Sequence, residues 1–197
     1  RKTKMNFLNS HKKKIVIKIG SSLLVKDGLM HTKWLENFAQ NISINLPHDL
    51  IFGINIGKNK DSEDALADYL FLLEKFYERA SYITVNISSP NTKNLRNLHN
   101  ENQIDAFLSG LMHKKNELKQ QKNINTPIWL KISPDLSFEE LEIVANAVLK
   151  NKIDAVIISN TTIAREDFLQ SKHALQAGGL SGKPLFSKSN EVLAQFY

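Results

Sequence analysis

Tyr82-Ile-Thr-Val-Asn-Ile-Ser-Ser-Pro-Asn91 joins a short run of β-branched and apolar residues to a polar turn. The run has the length and composition of a strand, and the Ser-Ser-Pro-Asn turn ends it. A run of this kind followed by a polar turn recurs three more times in the chain. The four predicted strands are Ile51–Ile56, Tyr82–Ile87, Pro127–Ile132 and Ile153–Ile158. We interpret them as apolar on both faces, which is typical of a fully buried parallel sheet.

Amphipathic stretches separate and follow these strands and are predicted to be helices. One of them opens with Ser137-Phe-Glu-Glu140, a capping box with Glu140 as the third helical residue. Another starts at Ser62 and has acidic residues in its first turn, which suit the positive end of a helix dipole. A third carries Ile104, Leu108, Leu111 and Leu118 on one face. The predicted helices are Ser62–Ala80, Glu101–Gln121, Ser137–Lys150 and Ser187–Tyr197.

Strands that alternate with helices predict βαβ units and a parallel α/β sheet. Two architectures compete, the doubly wound sheet and the (β/α)8 TIM barrel. The polar residues after each strand favour the barrel, because its active sites lie at the carboxyl ends of the strands. A complete barrel needs about 250 residues and about eight strands. We therefore predict a partial (β/α)8 TIM barrel with about half of the strands present in this chain.

The N-terminal residues 1–45 have a different character from the rest. Lys14–Leu24 is predicted to be a strand that runs into a Gly-Ser turn, and Trp34–Ile42 a short helix. This makes an extra strand-turn-helix segment. Residues 1–50 hold nine Lys/Arg against three Asp/Glu, whereas residues 51–197 hold 17 against 17. The whole net charge of +6 thus lies in the first quarter of the chain. A short basic terminus is more often solvated than bound to nucleic acid, so no nucleic-acid partner is expected.

Composition excludes several classes of site. The chain has no cysteine, which rules out disulfides, thiolate catalysis and cysteine-ligated metals. Its six histidines lack metal-ligand spacing, so we predict no metal site. No apolar run approaches the roughly 20 residues of a transmembrane helix. No signal peptide is recognisable, and the expectation is a cytoplasmic chain.

Polar residues at the strand ends are the candidates for chemistry. If the strands are parallel neighbours, their ends converge on one mouth. Asn86, Asn91 and Asn160 carry carboxamides, which present a donor beside an acceptor and suit the ring of a pyrimidine or a flavin. Lys131 either stabilises negative charge on a reduced flavin, or is neutralised by an ion pair or by reaching solvent. The Gly178–Gly182 loop either approaches a cofactor or is a simple turn.

Five motifs, in order, resemble those of class 2 (quinone-dependent) dihydroorotate dehydrogenases. The resemblance covers about residues 46–197, and it predicts that these residues are a partial barrel of that family. The motifs are Gly53-Ile-Asn-Ile-Gly-Lys-Asn-Lys60, Val85-Asn-Ile-Ser-Ser-Pro-Asn-Thr92, Leu130-Lys-Ile-Ser-Pro-Asp-Leu136, Ile158-Ser-Asn-Thr-Thr162 and Ala177-Gly-Gly-Leu-Ser-Gly-Lys-Pro-Leu185.

The resemblance implies FMN-dependent oxidation of dihydroorotate to orotate in pyrimidine biosynthesis, with a quinone as electron acceptor. Ser89 matches the base that takes the C5 proton, through a relay, while C6 passes a hydride to FMN. Asn86 matches a residue that touches both flavin and substrate. The other matches to substrate-binding positions are Asn91, Asn160 and Thr161. The other matches to FMN-binding positions are Asn55, Lys131, Ser159 and Gly182.

The family also has parts that are not visible in this sequence. They are a helical domain that docks the intact enzyme on the inner membrane, and the first and last barrel strands with their FMN loops. Two hypotheses follow for this chain. It is a working enzyme, completed by self-association with a second copy, or it is a non-catalytic remnant or fragment. A basic nucleic-acid-binding module is a third and weaker alternative.

The N-terminal segment has a resemblance of its own, over about residues 12–42. Ile15-Val-Ile-Lys-Ile-Gly-Ser-Ser-Leu-Leu24, with Trp34-Leu35, is similar to the start of glutamate 5-kinase. That resemblance places Lys18, Gly20 and Ser21 at an ATP phosphate. The rest of a kinase is absent, so kinase activity is not expected. The segment is either a remnant fused by gene rearrangement or a strand recruited into the barrel.

Overall fold

The computed structural model describes 142 of the 197 residues. Asn91 and the kinase-like positions Lys18, Gly20 and Ser21 lie outside the described residues. The described residues are 15–17, 25–26, 29–30, 33–34, 36–38, 40, 51–59, 62–89, 101–165, 169 and 172–197.

The main sheet is parallel and has five described strands. Their spatial order follows the chain: β1 (Ile15–Ile17), β4 (Phe52–Ile56), β5 (Tyr82–Asn86), β6 (Ile128–Lys131) and β7 (Ala155–Ile157). A separate antiparallel pair consists of β2 (Val25–Lys26) and β3 (Leu29–Met30). The four strands predicted from residue 51 onward are confirmed, each one to three residues shorter than predicted.

The helices that follow the strands are α1 (Ala65–Phe76), α2 (Glu101–Lys122), α3 (Phe138–Lys150) and α4 (Lys183–Phe196). The predicted capping box is present at the start of α3. Two predicted starts are wrong. Helix α1 is capped by Asp64 rather than Ser62, because the Asp64 side chain accepts a hydrogen bond from the Ala67 amide at 3.0 Å. Helix α4 begins at Lys183 rather than Ser187, and its first turn contains Pro184, which is favoured there.

The two faces of the sheet are buried to different extents. Ile54, Val85 and Leu130 lie on the face that the helices cover and are at most 2% exposed. The residues that alternate with them, such as Asn86 and Lys131, are only partly buried. The expectation of two apolar faces is therefore wrong for the inner face. A sheet covered on one face fits a barrel wall, whereas a doubly wound sheet carries helices on both.

The core lies between the sheet and the helices. The apolar face predicted for α2 is confirmed, because Ile104, Leu108, Leu111 and Leu118 are at most 1% exposed. Each fully buried side chain of this size contributes about 1.5–3 kcal/mol. Among the described helices, none combines the length and the apolar character needed to cross a membrane.

Several of the described residues of the N-terminal segment pack onto the sheet or its core. β1 pairs in parallel with β4, so that Ile15 lies beside Phe52. The residues described between 33 and 40 are helical, and the stacked rings of Trp34 and Phe38 pack against the core. The hypothesis that the N-terminal segment was recruited as a barrel strand requires this pairing of β1 with β4. The origin of residues 1–45 and the boundary at residue 45 stay predictions.

A buried ion pair fastens the amino-terminal ends of two strands. Lys115 of α2 is 4% exposed, and its ammonium lies 2.6 Å from a carboxylate oxygen of Asp154, just before β7. The same oxygen accepts the Ile128 amide of β6 at 2.7 Å. Because Asp154 bonds to both a helix and a strand, it fixes α2 against this end of the sheet.

On the inner face, Tyr82 and Trp129 stack with their ring centroids 3.7 Å apart. Gly53 is the register partner of Tyr82. A Cβ at Gly53 would lie 2.1 Å from the Tyr82 ring, so the ring occupies the space that a side chain would need. Glycine at this position is thus required by the close approach of a neighbouring aromatic residue.

Gly53→Ala should lower the free energy of unfolding by about 1–3 kcal/mol, because the added methyl displaces Tyr82 and disturbs its stack. Urea unfolding followed by tryptophan fluorescence measures the loss. Gly57→Ala is the matched control, since a Cβ there meets no atom closer than 3.9 Å. Equal destabilisation by the two variants would contradict this explanation.

Candidate active site at the strand ends

The parallel register brings several predicted site residues to one edge of the sheet. Asn86 of β5 lies beside Lys131 of β6, and Lys131 lies beside Ile157 of β7. Ser159 and Asn160 lie two and three residues after the end of β7, and the Asn160 amide donates to Ile132 O at 2.9 Å. Asn55 pairs with Thr84, one inward-facing row below Asn86. The carboxyl ends of the strands therefore meet at one edge, as predicted.

A hydrogen-bonded network joins the end of β5 to the end of β7. Asn160 Nδ2 donates to Asn86 Oδ1 at 3.2 Å and to Ser88 Oγ at 2.9 Å. Asn86 Oδ1 also accepts from the amide and the hydroxyl of Ser88, at 3.2 and 3.0 Å. The Thr161 amide donates to Asn160 Oδ1 at 2.8 Å. Side chains 74 residues apart in the chain thus hold one another in place.

Ser89, the predicted base, follows directly after this network. It is partly buried and makes an interaction of its own within the protein. Ser88 next to it is fully buried. The structure therefore places Ser89 directly after Ser88, which bonds to Asn86 and Asn160, while its role in proton transfer stays a prediction. Asn91, the remaining predicted residue of this turn, lies outside the described residues.

Asn55 differs from the other carboxamides. Its Oδ1 is buried, and within the described part of the chain it is the one buried side-chain oxygen or nitrogen that has no hydrogen-bond partner. A buried acceptor without a donor costs about 1–3 kcal/mol. Such a group is expected where a ligand supplies the missing donor.

The other predicted cofactor contacts occupy the same edge. Lys131 is partly buried and interacts within the protein, so it is not an isolated charge. The Ser159 hydroxyl donates to Asn160 O at 3.0 Å. Gly182 is the residue that precedes α4, and its φ of 79° lies in the region that favours glycine.

The glycine-rich loop lies against the loop that follows β7. Thr162 and Leu180 exchange two backbone hydrogen bonds, at 3.0 and 2.7 Å. A Cβ at Gly179 would lie 2.0 Å from Thr161 Oγ1, so glycine is needed for this contact. The two predicted segments, Asn160–Thr161 and Gly178–Gly182, are therefore neighbours in the fold.

Asp135, just beyond β6, fastens this loop pair. Its carboxylate accepts hydrogen bonds from the Thr162 hydroxyl, from the Ile163 amide at 3.0 Å and from the Lys188 ammonium of α4 at 2.7 Å. Burial raises the pKa of the Asp135 carboxyl. The bonds from Lys188, Thr162 and Ile163 outweigh that effect, so the net pKa lies below its ordinary value.

Sequence reasoning missed Ser88, Asp135 and Lys188. Ser88 and Asp135 lie inside quoted motifs, so their presence was visible but their partners were not. Lys188 belongs to a polar stretch of α4 with no distinguishing pattern. Its partner Asp135 lies 53 residues earlier in the chain, so no local pattern could reveal the contact. Contacts of this length depend on how the loops pack.

Comparison with known proteins identifies the family. The sequence model described as dihydroorotate dehydrogenase matches residues 10–197. The chain belongs to the dihydroorotate dehydrogenase family. The predicted resemblance is thus confirmed, and the match begins before residue 46. The kinase resemblance of the N-terminal segment is untested and stays a prediction.

Individual relatives agree with this assignment. A dihydroorotate dehydrogenase (quinone) of Herminiimonas arsenicoxydans is 52% identical over 145 residues, 73% of this chain. The one of Burkholderia multivorans is 48% identical over 165 residues, 83% of this chain. The crystal structure of the Eimeria tenella enzyme in complex with ferulenol covers 84% of this chain with a TM-score of 0.75 and 30% identity. The described sheet and helices are therefore part of a TIM barrel.

The coverage of these relatives is partial. This chain spans 42% of the Herminiimonas protein, 48% of the Burkholderia protein and 48% of the Eimeria chain. It corresponds to somewhat less than half of a family member. This agrees with the predicted partial barrel.

Asp135→Asn should lower the free energy of unfolding by about 2 kcal/mol at pH 7, because it removes the charged acceptor of three hydrogen bonds. The folded-state pKa of Asp135 is depressed. Its stabilisation is therefore complete above the unfolded pKa of about 3.9 and is lost as pH falls through the folded value. Urea unfolding at pH 7, 5 and 3 should show the two proteins converging only at the lowest pH.

Asp105→Asn is the matched control, since Asp105 also pairs with a lysine, Lys150, at 2.8 Å, but at the surface. An exposed pair is screened by solvent, so its loss should change stability much less. A pH-independent difference between wild type and Asp135→Asn would refute the electrostatic role of Asp135.

Proposed function

We propose that this chain carries part of the active site of an FMN-dependent enzyme that oxidises dihydroorotate to orotate, with a quinone as electron acceptor. The observation that carries the proposal is the Asn86–Ser88–Asn160 network, which lies beside Ser89 and Lys131 at the strand ends. Family membership supports the same reaction, because the relatives are named quinone-dependent dihydroorotate dehydrogenases.

The network suits a pyrimidine ring. Dihydroorotate presents ring N–H donors and C=O acceptors, and a carboxamide matches one of each. Asn86 and Asn160 now bond to each other, so a bound ring would exchange those bonds for its own. This exchange costs little, because each polar group keeps a partner before and after binding. Thr161 and Asn91 complete the proposed substrate contacts.

Ser89 is proposed to remove the proton from C5 of dihydroorotate. A serine hydroxyl is a weak base near pH 7, so the proton must pass on through a water or hydroxyl relay. Ser89 is partly buried and follows the hydrogen-bonded Ser88 in the turn after β5, which would restrict where its hydroxyl can lie relative to a bound ring. The carbon–hydrogen bond at C6 breaks in the same oxidation, and its electron pair leaves as a hydride.

The residues present fit a flavin. The buried Asn55 Oδ1 needs a donor, and the pyrimidine edge of a flavin carries an N–H. Lys131 supplies positive charge two residues beyond the inner-face Trp129. Ser159 and Gly182 complete the proposed contacts. A flavin held by these residues would supply the hydride acceptor for the reaction, with a quinone as the final electron acceptor.

Asn55→Leu should weaken FMN binding about tenfold, since one good hydrogen bond to a ligand is worth about 1.4 kcal/mol. It should not lower the free energy of unfolding and should raise it by about 1–3 kcal/mol, because the unpaired buried acceptor is removed with the amide. Flavin fluorescence titration and urea unfolding measure the two effects. Loss of stability with unchanged flavin affinity would show that Asn55 is structural.

The chain spans less than half of its relatives' length, and its five described parallel strands are fewer than the eight of a complete barrel, which needs further strands to close. We propose that a second copy supplies them by self-association. Light scattering of the purified protein with FMN tests this idea, and a monomer mass throughout would reject it. Orotate formation is then measured at increasing protein concentration. If only the associated form is active, the rate should rise more steeply than in proportion to the protein concentration.

The reaction is tested by mixing the purified protein with FMN, dihydroorotate and a soluble quinone. Orotate formation and bleaching of the flavin absorbance are expected. Ser89→Ala should slow flavin reduction about 100-fold or more, in line with the loss of a general base, while orotate affinity changes little. Stopped-flow absorbance measures the rate of flavin reduction, and an orotate titration measures the affinity.

The neighbouring Ser88→Ala is the matched comparison. It removes a bond from Asn160 and one to Asn86, so it should weaken orotate binding more than it slows proton removal. Equal losses of rate and affinity in Ser89→Ala would refute its assigned role. A wild-type protein that binds no flavin and makes no orotate would favour the non-catalytic alternative.

A further inference from the structure

Tyr69 of α1 reaches the candidate site from behind the sheet. It is fully buried, and its hydroxyl donates to the backbone oxygen of Asn86 at 2.6 Å. Burial raises the pKa of the Tyr69 hydroxyl far above its ordinary value, and the nearby Lys58 amide offsets only part of this. The hydroxyl therefore stays protonated at physiological pH and acts as a donor.

The Asn86 carbonyl needs this donor because of where β4 ends. The last residue pair between β4 and β5 is Ile56 with Val85, so the pairing stops one residue before Asn86. A buried carbonyl without a partner is unfavourable. The hydroxyl of a helix residue thus takes the place of the next strand amide.

Asp68, which precedes Tyr69 in α1, holds the loop at the end of the neighbouring strand β4. The Asp68 carboxylate accepts the Asn59 amide at 2.9 Å, which fixes the loop that leaves β4. Consecutive residues of one helix therefore hold the ends of two neighbouring strands.

We propose that Tyr69 is a positioning residue of the candidate active site: by fixing the peptide that follows Asn86, its hydroxyl sets the direction of the Asn86 side chain and of the Ser88–Ser89 turn. Its role toward ligands rests on the function proposed above. The link is short, because Asn86 Oδ1 itself bonds to the Ser88 amide. Exchange of the Ser88 amide proton therefore reports the placement of Asn86 without any ligand.

Tyr69→Phe removes the hydroxyl and keeps the ring. Tyr77→Phe is the matched control, because Tyr77 is equally buried and its hydroxyl also donates to a backbone oxygen, that of Ile124, at 3.1 Å. Ile124 precedes β6, so Tyr77 acts at the opposite end of the strands from Asn86. A purely structural role predicts the same consequences for both variants.

Hydrogen exchange of the ligand-free protein is measured first, with core amides of β5 as the reference. Ser88 protection should fall at least about tenfold relative to that reference in Tyr69→Phe and stay unchanged in Tyr77→Phe. Affinities for FMN and orotate, from fluorescence and absorbance titrations, should weaken about tenfold in Tyr69→Phe alone, as expected for one hydrogen bond.

Equal changes in Ser88 protection in the two variants would overturn the proposal, and so would wild-type ligand affinity in a Tyr69→Phe protein that had lost Ser88 protection. If wild type bound neither FMN nor orotate, the proposed function would fail, and Ser88 exchange alone would decide the positioning role. Replacement of Tyr69 by p-aminophenylalanine restores a donor of similar reach. It should keep Ser88 protected even if Tyr69→Phe does not fold, and an unprotected Ser88 amide in that protein would reject the inference.

Discussion

The in-register parallel pairing of β4 to β7 is the constraint on which the fold and the candidate site both depend. It places Asn86, Lys131 and Ile157 side by side and sends all four chain exits to one edge. Because side chains alternate along a strand, a slip of one residue would turn Asn86 and Lys131 into the apolar core. The same slip would bring buried residues such as Val85 to the inner face. Core and site are therefore specified by one register.

The site edge is held by polar contacts that cross between strands. Asn160 bonds across β6 to Asn86 and Ser88, Asp135 joins the β6 and β7 loops to α4, and Tyr69 completes the hydrogen bonding of β5. These groups are buried or partly buried, so each hydrogen bond offsets the cost of removing a polar group from water. Asn55 Oδ1 is the exception among the described residues, and it lies where the family resemblance implies a flavin.

The N-terminal segment extends the sheet by one described strand. β1 covers the edge of β4, which would otherwise present unpaired backbone groups. The family match also starts before residue 46, at residue 10. The described part of the chain thus forms a wall of five parallel strands. The chain as a whole spans somewhat less than half the length of its relatives.

The sequence by itself determined the order of strands and helices, the apolar face of α2, the capping box of α3 and the family. These follow from local patterns or from motifs, which need no knowledge of packing. It missed the cap of α1, which is set by the hydrogen bond to Asp64, and the start of α4, where Pro184 lies in the first turn. It also treated both sheet faces as apolar, although Asn86 and Lys131 alternate with the core residues. Only the tertiary structure decided that Tyr69, Ser88, Asp135 and Lys188 belong to the site, because their partners lie up to 72 residues away in the chain.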